Sequence, residues 1–171
     1  MCLKEMGAAL SGWHVEIVAT DLSQEVLEKA KSGIYSQFEV QRGLPIQLLL
    51  KYFTQQGDVW HLHSGIRGMV QHRQLNLLQD FSHLGKFDII FCRNVLIYFD
   101  PATKTAIFDR LARAMQPDGM LLLGAAESVV GITDSFRPYP DRRGIYQLNS
   151  PRSRREVAGG AMPPLKAVAS R

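Results

Sequence analysis

The middle of the chain contains an almost uninterrupted apolar run, Phe87-Asp88-Ile89-Ile90-Phe91-Cys92. Such a run is typical of a strand buried on both faces, and strands of this kind occur in parallel sheets covered by helices. The pair Asp100-Pro101 then begins a helix, with Asp at the cap and Pro in the first turn. The run therefore favours an α/β architecture in which helices cover both faces of a central sheet.

Strand and helix signals alternate on both sides of that run. The predicted segments are a strand over 15–21, a helix over 23–31, a short helix over 46–53, a helix over 101–115, and strands over 120–124 and 145–148. Ser23 or Asp21 can cap the helix over 23–31, and Gly33 can end it. The sequence predicts an open, mostly parallel sheet that a last antiparallel strand closes.

A second, smaller sheet is predicted between these segments. Val59, His61 and His63 alternate with Trp60 and Leu62, and turn residues flank the alternating stretch. This pattern predicts a small antiparallel β-subdomain over about 57–73. His61 and His63 lack the accompanying Cys or carboxylate ligands of a metal site, so we expect them at the surface and predict no metal.

The charge of the chain lies in its last residues. The 171 residues carry a net charge of +4, and residues 1–149 sum to zero. The ionisable residues of 150–171 are Arg152, Arg154, Arg155, Glu156, Lys166 and Arg171. A nucleic-acid-binding domain usually carries a basic face on its folded part, so we predict no nucleic-acid partner. One domain is expected over 1–149, followed by a disordered basic tail over 150–171.

Cysteine content and hydropathy point to the cytoplasm. Cys2 and Cys92 make no disulfide framework, which favours a reducing compartment. No apolar stretch reaches the roughly 18 residues that a membrane-spanning helix needs, and the first ten residues do not form a secretory signal. The oligomeric state is left open.

Polar residues follow the predicted strands at their carboxyl ends, where ligands bind in open α/β sheets. Asp21 can accept hydrogen bonds from ribose hydroxyls or cap a helix, and Asn76 can contact an adenine edge or stabilise a turn. Arg93, Asn94 and Tyr98 follow the central apolar run. Their position favours a ligand site, although a salt-bridged Arg and a core Tyr are alternatives. The sequence contains neither a Gly-rich dinucleotide or phosphate loop nor a Gly-x-Ser-x-Gly elbow.

The stretch from Phe87 to Pro101, FDIIFCRNVLIYFDP, resembles the most distinctive motif of the CheR family of chemotaxis receptor methyltransferases. Further segments match the family in order and spacing, so that the resemblance covers about residues 1–148. These segments are VATDL from Val18, AKSGIY from Ala30, LNLL from Leu75, PDGML from Pro117 and LGAAES from Leu123.

The resemblance implies a Rossmann-like, class I fold and an enzyme, a protein-glutamate O-methyltransferase. It implies transfer of a methyl group from S-adenosyl-L-methionine to glutamate side chains on the cytoplasmic helices of chemoreceptors. By the family pattern, Asp21 holds the ribose, and Asn76 and Leu77 border the adenine. The pattern places Arg93 and Asn94 along the donor site and Tyr98 at the methyl-transfer centre. It also equates the β-subdomain with the part that meets the receptor.

The family pattern also includes an N-terminal helical domain, a first central strand, and a Gly/Ser loop with a nearby Glu. The resemblance begins inside the helix that follows that loop. We therefore expect the sheet to lack its first central strand, which leaves the strands ending at Asp21 and Cys92 to close on each other or stay exposed. Two alternatives to receptor methylation stay open, namely a non-catalytic remnant that binds a receptor and a methyltransferase with another substrate.

Overall fold

A computed structural model describes residues 1–149 and the strand over 166–170. The strands are β1 (Glu16–Asp21), β2 (Ile34–Ser36), β3 (Phe53–Gln56), β4 (Val59–Leu62), β5 (Val70–Gln74), β6 (Phe87–Cys92), β7 (Met115–Leu123), β8 (Phe136–Pro138), β9 (Ile145–Leu148) and β10 (Lys166–Ser170). The α-helices are α1 (Cys2–Glu5), α2 (Gln24–Ser32), α3 (Gln37–Gln41), α4 (Ile46–Tyr52), α5 (Ser64–Arg67) and α6 (Pro101–Arg113). Short 3-10 helices span Gly7–Leu10, Ser82–Leu84 and Leu96–Tyr98.

A seven-stranded sheet forms the body of the fold, in the order β5-β1-β10-β6-β7-β9-β8. Five neighbouring strands, β5, β1, β10, β6 and β7, run parallel. β9 then pairs antiparallel with β7, and the edge strand β8 pairs antiparallel with β9. The mixed α/β architecture agrees with the predicted Rossmann-like fold, and the closing antiparallel strand lies at 145–148 as expected.

The centre of the large sheet differs from the expectation. β1 and β6 neither close on each other nor stay exposed, because β10 pairs in parallel with both of them. Within the predicted disordered tail over 150–171, residues 166–170 thus form a strand, and the rest of the tail lies outside the described residues. A strand in this position gives hydrogen-bond partners to the backbone groups of β1 and β6 that face each other.

The small antiparallel sheet also lies elsewhere than predicted. It consists of β2, β4 and β3, and therefore spans 34–62 rather than 57–73. β5, which the prediction included, belongs to the large sheet beside β1. The alternating pattern of 70–74 fits a half-buried strand at the edge of either kind of sheet, so periodicity alone could not assign it.

Local sequence signals explain the helices that flank the site. Ser23 Oγ accepts a hydrogen bond from the backbone N–H of Val26, and Gly33 ends α2 in the left-handed region at φ 64°. Asp100 caps α6 through the backbone N–H of Thr103. The apolar face of α6 then packs on β6 and β7 to form the main core, whose most deeply buried residues include Ile107, Phe108, Met115 and Leu121.

Candidate functional site

The carboxyl ends of the parallel strands meet along one edge of the large sheet. Asn76 follows β5, Asp21 ends β1, and Arg93 and Asn94 follow β6. We call this row of strand ends the carboxyl edge. Neighbouring strands lie about 5 Å apart, so β10 separates the end of β1 from the end of β6 by about 10 Å. The predicted residues thus form two groups along one edge.

The first group contains Asp21 and Asn76, which β1–β5 pairing brings close together. The backbone carbonyl of Asp21 accepts a 2.9 Å hydrogen bond from the N–H of Leu75, the residue before Asn76. The Asp21 carboxylate accepts a 2.8 Å bond from the N–H of Ser23, whereas Ser23 itself caps α2. Asp21 is therefore not the cap of α2, and part of its carboxylate is free to accept further donors.

Asn76 and Leu77 have structural contacts of their own. Asn76 Oδ1 accepts a 2.9 Å bond from the N–H of Leu78, which is the turn role that the sequence left open. The remaining NH₂ group of Asn76 is a donor that can face a ligand. Leu77 packs against the main core, and its carbonyl accepts a bond from Arg110. Leu77 is thus more closely tied to the core than the site prediction implied.

The second group contains Arg93, Asn94 and Tyr98. All three are exposed, and Tyr98 is 81% exposed, which excludes the core-tyrosine alternative. None of the ion pairs found among residues 1–149 involves Arg93. Asn94 has a left-handed backbone at φ 59°, a conformation uncommon for a residue other than Gly. Tyr98 ends a 3-10 helix whose first residue, Leu96, is buried.

A cavity of about 440 Å³ opens beside the first group, between α2, β1, β5 and the small sheet. Its volume lies in the range of small-molecule sites, about 300–1,000 Å³. Asp21 lines it together with Tyr35 and Arg67, whereas Arg93, Asn94 and Tyr98 do not. We assign the candidate site to the carboxyl edge rather than to this cavity alone, because the edge unites the residues of both groups.

Two residues at the end of β7 complete the edge, and sequence reasoning gave them no role. Glu127 is a buried carboxylate, and both of its oxygens bond backbone N–H groups around Asn94. Gly124 leaves room for this contact, because a Cβ there would collide with Asn94 Oδ1 and Glu127 Oε2. Both residues lie in the LGAAES segment, but only the structure reveals that this segment supports the loop after β6.

The interior behind the edge contains a thiol that is held neutral. Burial, with a smaller contribution from the charge of Glu127, raises the pKa of Cys92 to about 12. Cys92 is therefore inert at neutral pH and belongs to the core. Within the described part of the chain, no cluster of three or more His, Cys, Asp or Glu side chains is arranged to hold a metal ion.

The donor groups of the carboxyl edge fit the chemistry of a nucleoside ligand with an amino-acid end. A carboxylate at Asp21 suits ribose hydroxyls, the amide of Asn76 suits a base edge, and Arg93 suits a carboxylate.

No helix within residues 1–149 is long and apolar enough to cross a membrane.

The sequence is also similar to known proteins. The sequence profile of a family described as "CheR methyltransferase, SAM binding domain" matches residues 1–145. "Chemotaxis protein methyltransferase 1" of Vibrio cholerae serotype O1 is 43% identical over 136 residues, which is 78% of this chain and 50% of that protein.

Two further relatives have related names. "Chemotaxis protein methyltransferase 1" of Pseudomonas aeruginosa is 44% identical over 72% of this chain and 45% of its own length. "Chemotaxis protein methyltransferase" of Escherichia coli K12 is 40% identical over 72% of this chain and 44% of its own length. The chain thus spans about half the length of the curated relatives it matches.

Proposed function

The chain belongs to the CheR methyltransferase family, and on that premise we propose that it serves S-adenosylmethionine-dependent methylation of glutamate side chains on chemoreceptor cytoplasmic domains. The observation that carries this proposal is the row of Asp21, Asn76, Arg93 and Asn94 along one edge of a parallel sheet. The names of the relatives support a chemotaxis methyltransferase, and the receptor substrate requires action in the cytoplasm.

Donor binding is assigned to both groups of the carboxyl edge. Asp21 accepts hydrogen bonds from the ribose hydroxyls with the lone pairs that Ser23 leaves free. Asn76 donates from its NH₂ group to the adenine, and Leu77 borders the base. Arg93 and Asn94 line the donor beyond β10. This division follows the order of the strands and predicts a ligand that lies along the edge rather than deep inside the sheet.

The substrate carboxylate needs positioning rather than deprotonation. When bound, S-adenosylmethionine supplies an electrophilic methyl group on a sulfonium centre. A free glutamate has a pKa of about 4.3 and is already ionised near pH 7, so no general base is required. The contribution left to the protein is to align the carboxylate and exclude water.

Tyr98 and Arg93 are suited to that contribution. The exposed Tyr98 hydroxyl can donate a hydrogen bond to an incoming carboxylate, and its backbone is fixed by the 3-10 helix anchored on Leu96. The Arg93 guanidinium can pair with a carboxylate of the donor or of the substrate. Tyr98 is therefore a positioning group for the acceptor, and it carries no proton in the reaction.

The test is methyl transfer from labelled S-adenosylmethionine to a purified receptor cytoplasmic fragment. Tyr98→Phe should lower the transfer rate by about tenfold, the equivalent of one lost hydrogen bond, and leave donor affinity unchanged. Tyr139→Phe, which removes a hydroxyl between β8 and β9, is the matched control and should transfer normally. Equal losses of rate and affinity in Tyr98→Phe would remove its assigned role. Transfer to another protein but not to receptor fragments would change the substrate class.

A second candidate is a unit that binds a receptor without catalysis. It is favoured by the small sheet, which packs with α3 and α4 into a hydrophobic cluster separate from the main core and formed by Val40, Leu49, Phe53 and Trp60. Such a sheet can present a binding surface whether or not the carboxyl edge holds a donor. Receptor capture by a chain that transfers no methyl group would support this candidate over the first.

A further inference from the structure

Glu127 is one of two buried polar or charged residues found among residues 1–149, and it is 8% exposed. It lies directly beyond β7, where the N–H of Glu127 bonds the carbonyl of Gly124 and folds the chain back towards its own strand end. This turn directs the carboxylate at the neighbouring end of β6. A buried carboxylate in such a place needs several hydrogen-bond donors.

Four backbone N–H groups supply those donors. Glu127 Oε2 accepts from Asn94 and from Gly124, each at 2.7 Å. Glu127 Oε1 accepts from Val95 at 2.9 Å and from Leu96 at 2.7 Å. A carboxylate has about four acceptor positions, so the two groups match in number. We call these five residues the carboxylate clamp.

The clamp joins the ends of β6 and β7 and sets the course of the chain after Cys92. Asn94 keeps its left-handed backbone, which costs energy for a residue other than Gly, while its N–H is held by Glu127. The bonds to Val95 and Leu96 hold the start of the 3-10 helix that ends at Tyr98. The direction in which Arg93 and Tyr98 leave the sheet therefore depends on one carboxylate.

We propose that Glu127 is a positioning residue that fixes the Arg93–Tyr98 segment for donor and acceptor binding. Glu127 acts through the backbone of the segment, because it is buried behind the carboxyl edge and its carboxylate is engaged by the four N–H groups. This inference rests on the proposed function, since it assigns Glu127 to the same site. Glu127 bonds only other residues of the protein, so its loss should change the position of the Arg93–Tyr98 segment rather than remove a direct contact with a ligand.

Glu127→Gln in the full chain is the decisive variant. The amide keeps the size of the side chain but replaces one acceptor oxygen with an NH₂ donor, which faces two backbone N–H groups that it cannot pair. We expect S-adenosylhomocysteine affinity to fall by about tenfold, consistent with one or two lost charge-assisted hydrogen bonds. Hydrogen exchange of the amides at 94, 95, 96 and 124 should accelerate in the same variant.

Ile107→Val is the matched control, since Ile107 is fully buried in α6 and the change lowers stability without touching the clamp. It should leave S-adenosylhomocysteine affinity and the exchange of the clamp amides unchanged. A similar affinity loss in this control would mean that affinity follows global stability, and the positioning role would be wrong. Unchanged affinity in Glu127→Gln beside a wild-type chain that binds would also overturn it.

The exchange measurement separates this proposal from the proposed function. If the wild-type chain binds no S-adenosylhomocysteine, the proposed function fails for this chain, and the amides at 94–96 and 124 still test the clamp. Faster exchange confined to those amides in Glu127→Gln would support Glu127 as the residue that fixes the segment. Exchange equal to wild type would contradict it.

Discussion

The two halves of the large sheet are packed very differently. The β6–β7 half is covered by α6, and Met115, Leu121 and Ile107 are all fully buried there. On the other half, β1 contributes a single apolar residue to the main core, Val18, and β5 contributes no buried residue. Side-chain packing is thus denser in the half that carries Arg93, Asn94 and Tyr98. The half that carries Asp21 relies more on strand pairing with β10 and β5, together with the packing of α2 through its buried Leu27.

This contrast divides the candidate site. The segment after β6 is held by a dense core and by the Glu127 clamp, so its geometry is expected before any ligand binds. The Asp21 and Asn76 side depends on backbone pairing across the central strand. The proposed ribose and adenine contacts of Asp21 and Asn76 should therefore respond to changes in the sheet centre more strongly than the proposed methyl-transfer contacts of Arg93 and Tyr98 do.

The contrast predicts its largest effect for core truncations. Leu121→Ala removes a fully buried side chain from β7 and should lower the free energy of unfolding by about 2–5 kcal/mol. Val18→Ala on β1 removes the equivalent of two methylene groups and should cost only about 1–2 kcal/mol. Urea denaturation of both variants measures the difference. Leu121→Ala removes three carbon atoms and Val18→Ala removes two, so equal losses per carbon removed would mean that the two halves are equally packed.

Breaking the central strand should have the next largest effect. Val168→Pro removes a backbone N–H from β10, which pairs on both sides, and should cost about 1–3 kcal/mol. Val168→Ala keeps that N–H and is the control. Hydrogen exchange should rise in β1 more than in β7. Full protection of β1 in the proline variant would show that β1 does not depend on β10.

Thiol reactivity compares the β6–β7 half of the large sheet with the exposed amino-terminal end of the chain. Cys2 is exposed, whereas Cys92 is buried in β6 with its pKa raised to about 12 by burial and by Glu127. At pH 8 the Cys92 thiol is neutral and inaccessible, so iodoacetamide should label Cys2 rapidly and Cys92 only after unfolding. Mass spectrometry of the labelled peptides gives both rates. Rapid labelling of Cys92 in the folded chain would contradict a rigid β6–β7 half.

The smallest predicted effect concerns an ionic contact beside β1. Lys29 of α2 pairs with Glu39 of α3, and this contact, with the hydrogen bonds from Ser36, lowers the pKa of Glu39 to about 2. Because the folded state lowers the Glu39 pKa, the ionised carboxylate stabilises the fold at pH values above the ordinary pKa of a glutamate. That contribution is lost as the pH falls towards 2. The groups are exposed, so the loss should be small.

Acid titration of unfolding measures this contribution. Glu39→Gln should be slightly less stable than wild type at neutral pH and should approach it at low pH. Glu25→Gln, which changes an exposed carboxylate in the first turn of α2, is the control for a general charge effect. Identical pH curves for wild type and Glu39→Gln would show that the contact between Lys29 and Glu39 contributes nothing to stability.

Much of the fold follows from local signals in the sequence. The Ser23 and Asp100 caps, the left-handed Gly33 and the apolar run at 87–92 have the structural roles that their sequence patterns predict. β7 was predicted only from Met120, because Pro117-Asp118-Gly119 is a turn signal, yet the strand begins at Met115 and its pairing with β6 shifts register there. Pairing between strands, rather than local preference, decided that boundary.

Contacts between residues far apart in the chain could not be predicted from the sequence. β10 joins the sheet across a wide sequence separation, and no periodicity in the tail indicates where it pairs. Glu127 bonds residues more than thirty positions away, so nothing near it in the sequence reveals its partners. By contrast, Asp21, Arg93 and Asn94 could be proposed in advance, because each follows a recognisable strand.

The proposed function requires that the carboxyl edge forms a donor site that includes Asp21. Calorimetric titration of the full chain with S-adenosylhomocysteine tests it, with Asp21→Ala as the variant. Asp118→Ala is the control, since it removes an exposed carboxylate near the opposite end of β7. We predict binding by wild type and by Asp118→Ala, and affinity about tenfold weaker in Asp21→Ala. No binding by a folded wild-type chain would show that the carboxyl edge forms no donor site, and equal affinity in Asp21→Ala would show that Asp21 is not part of it.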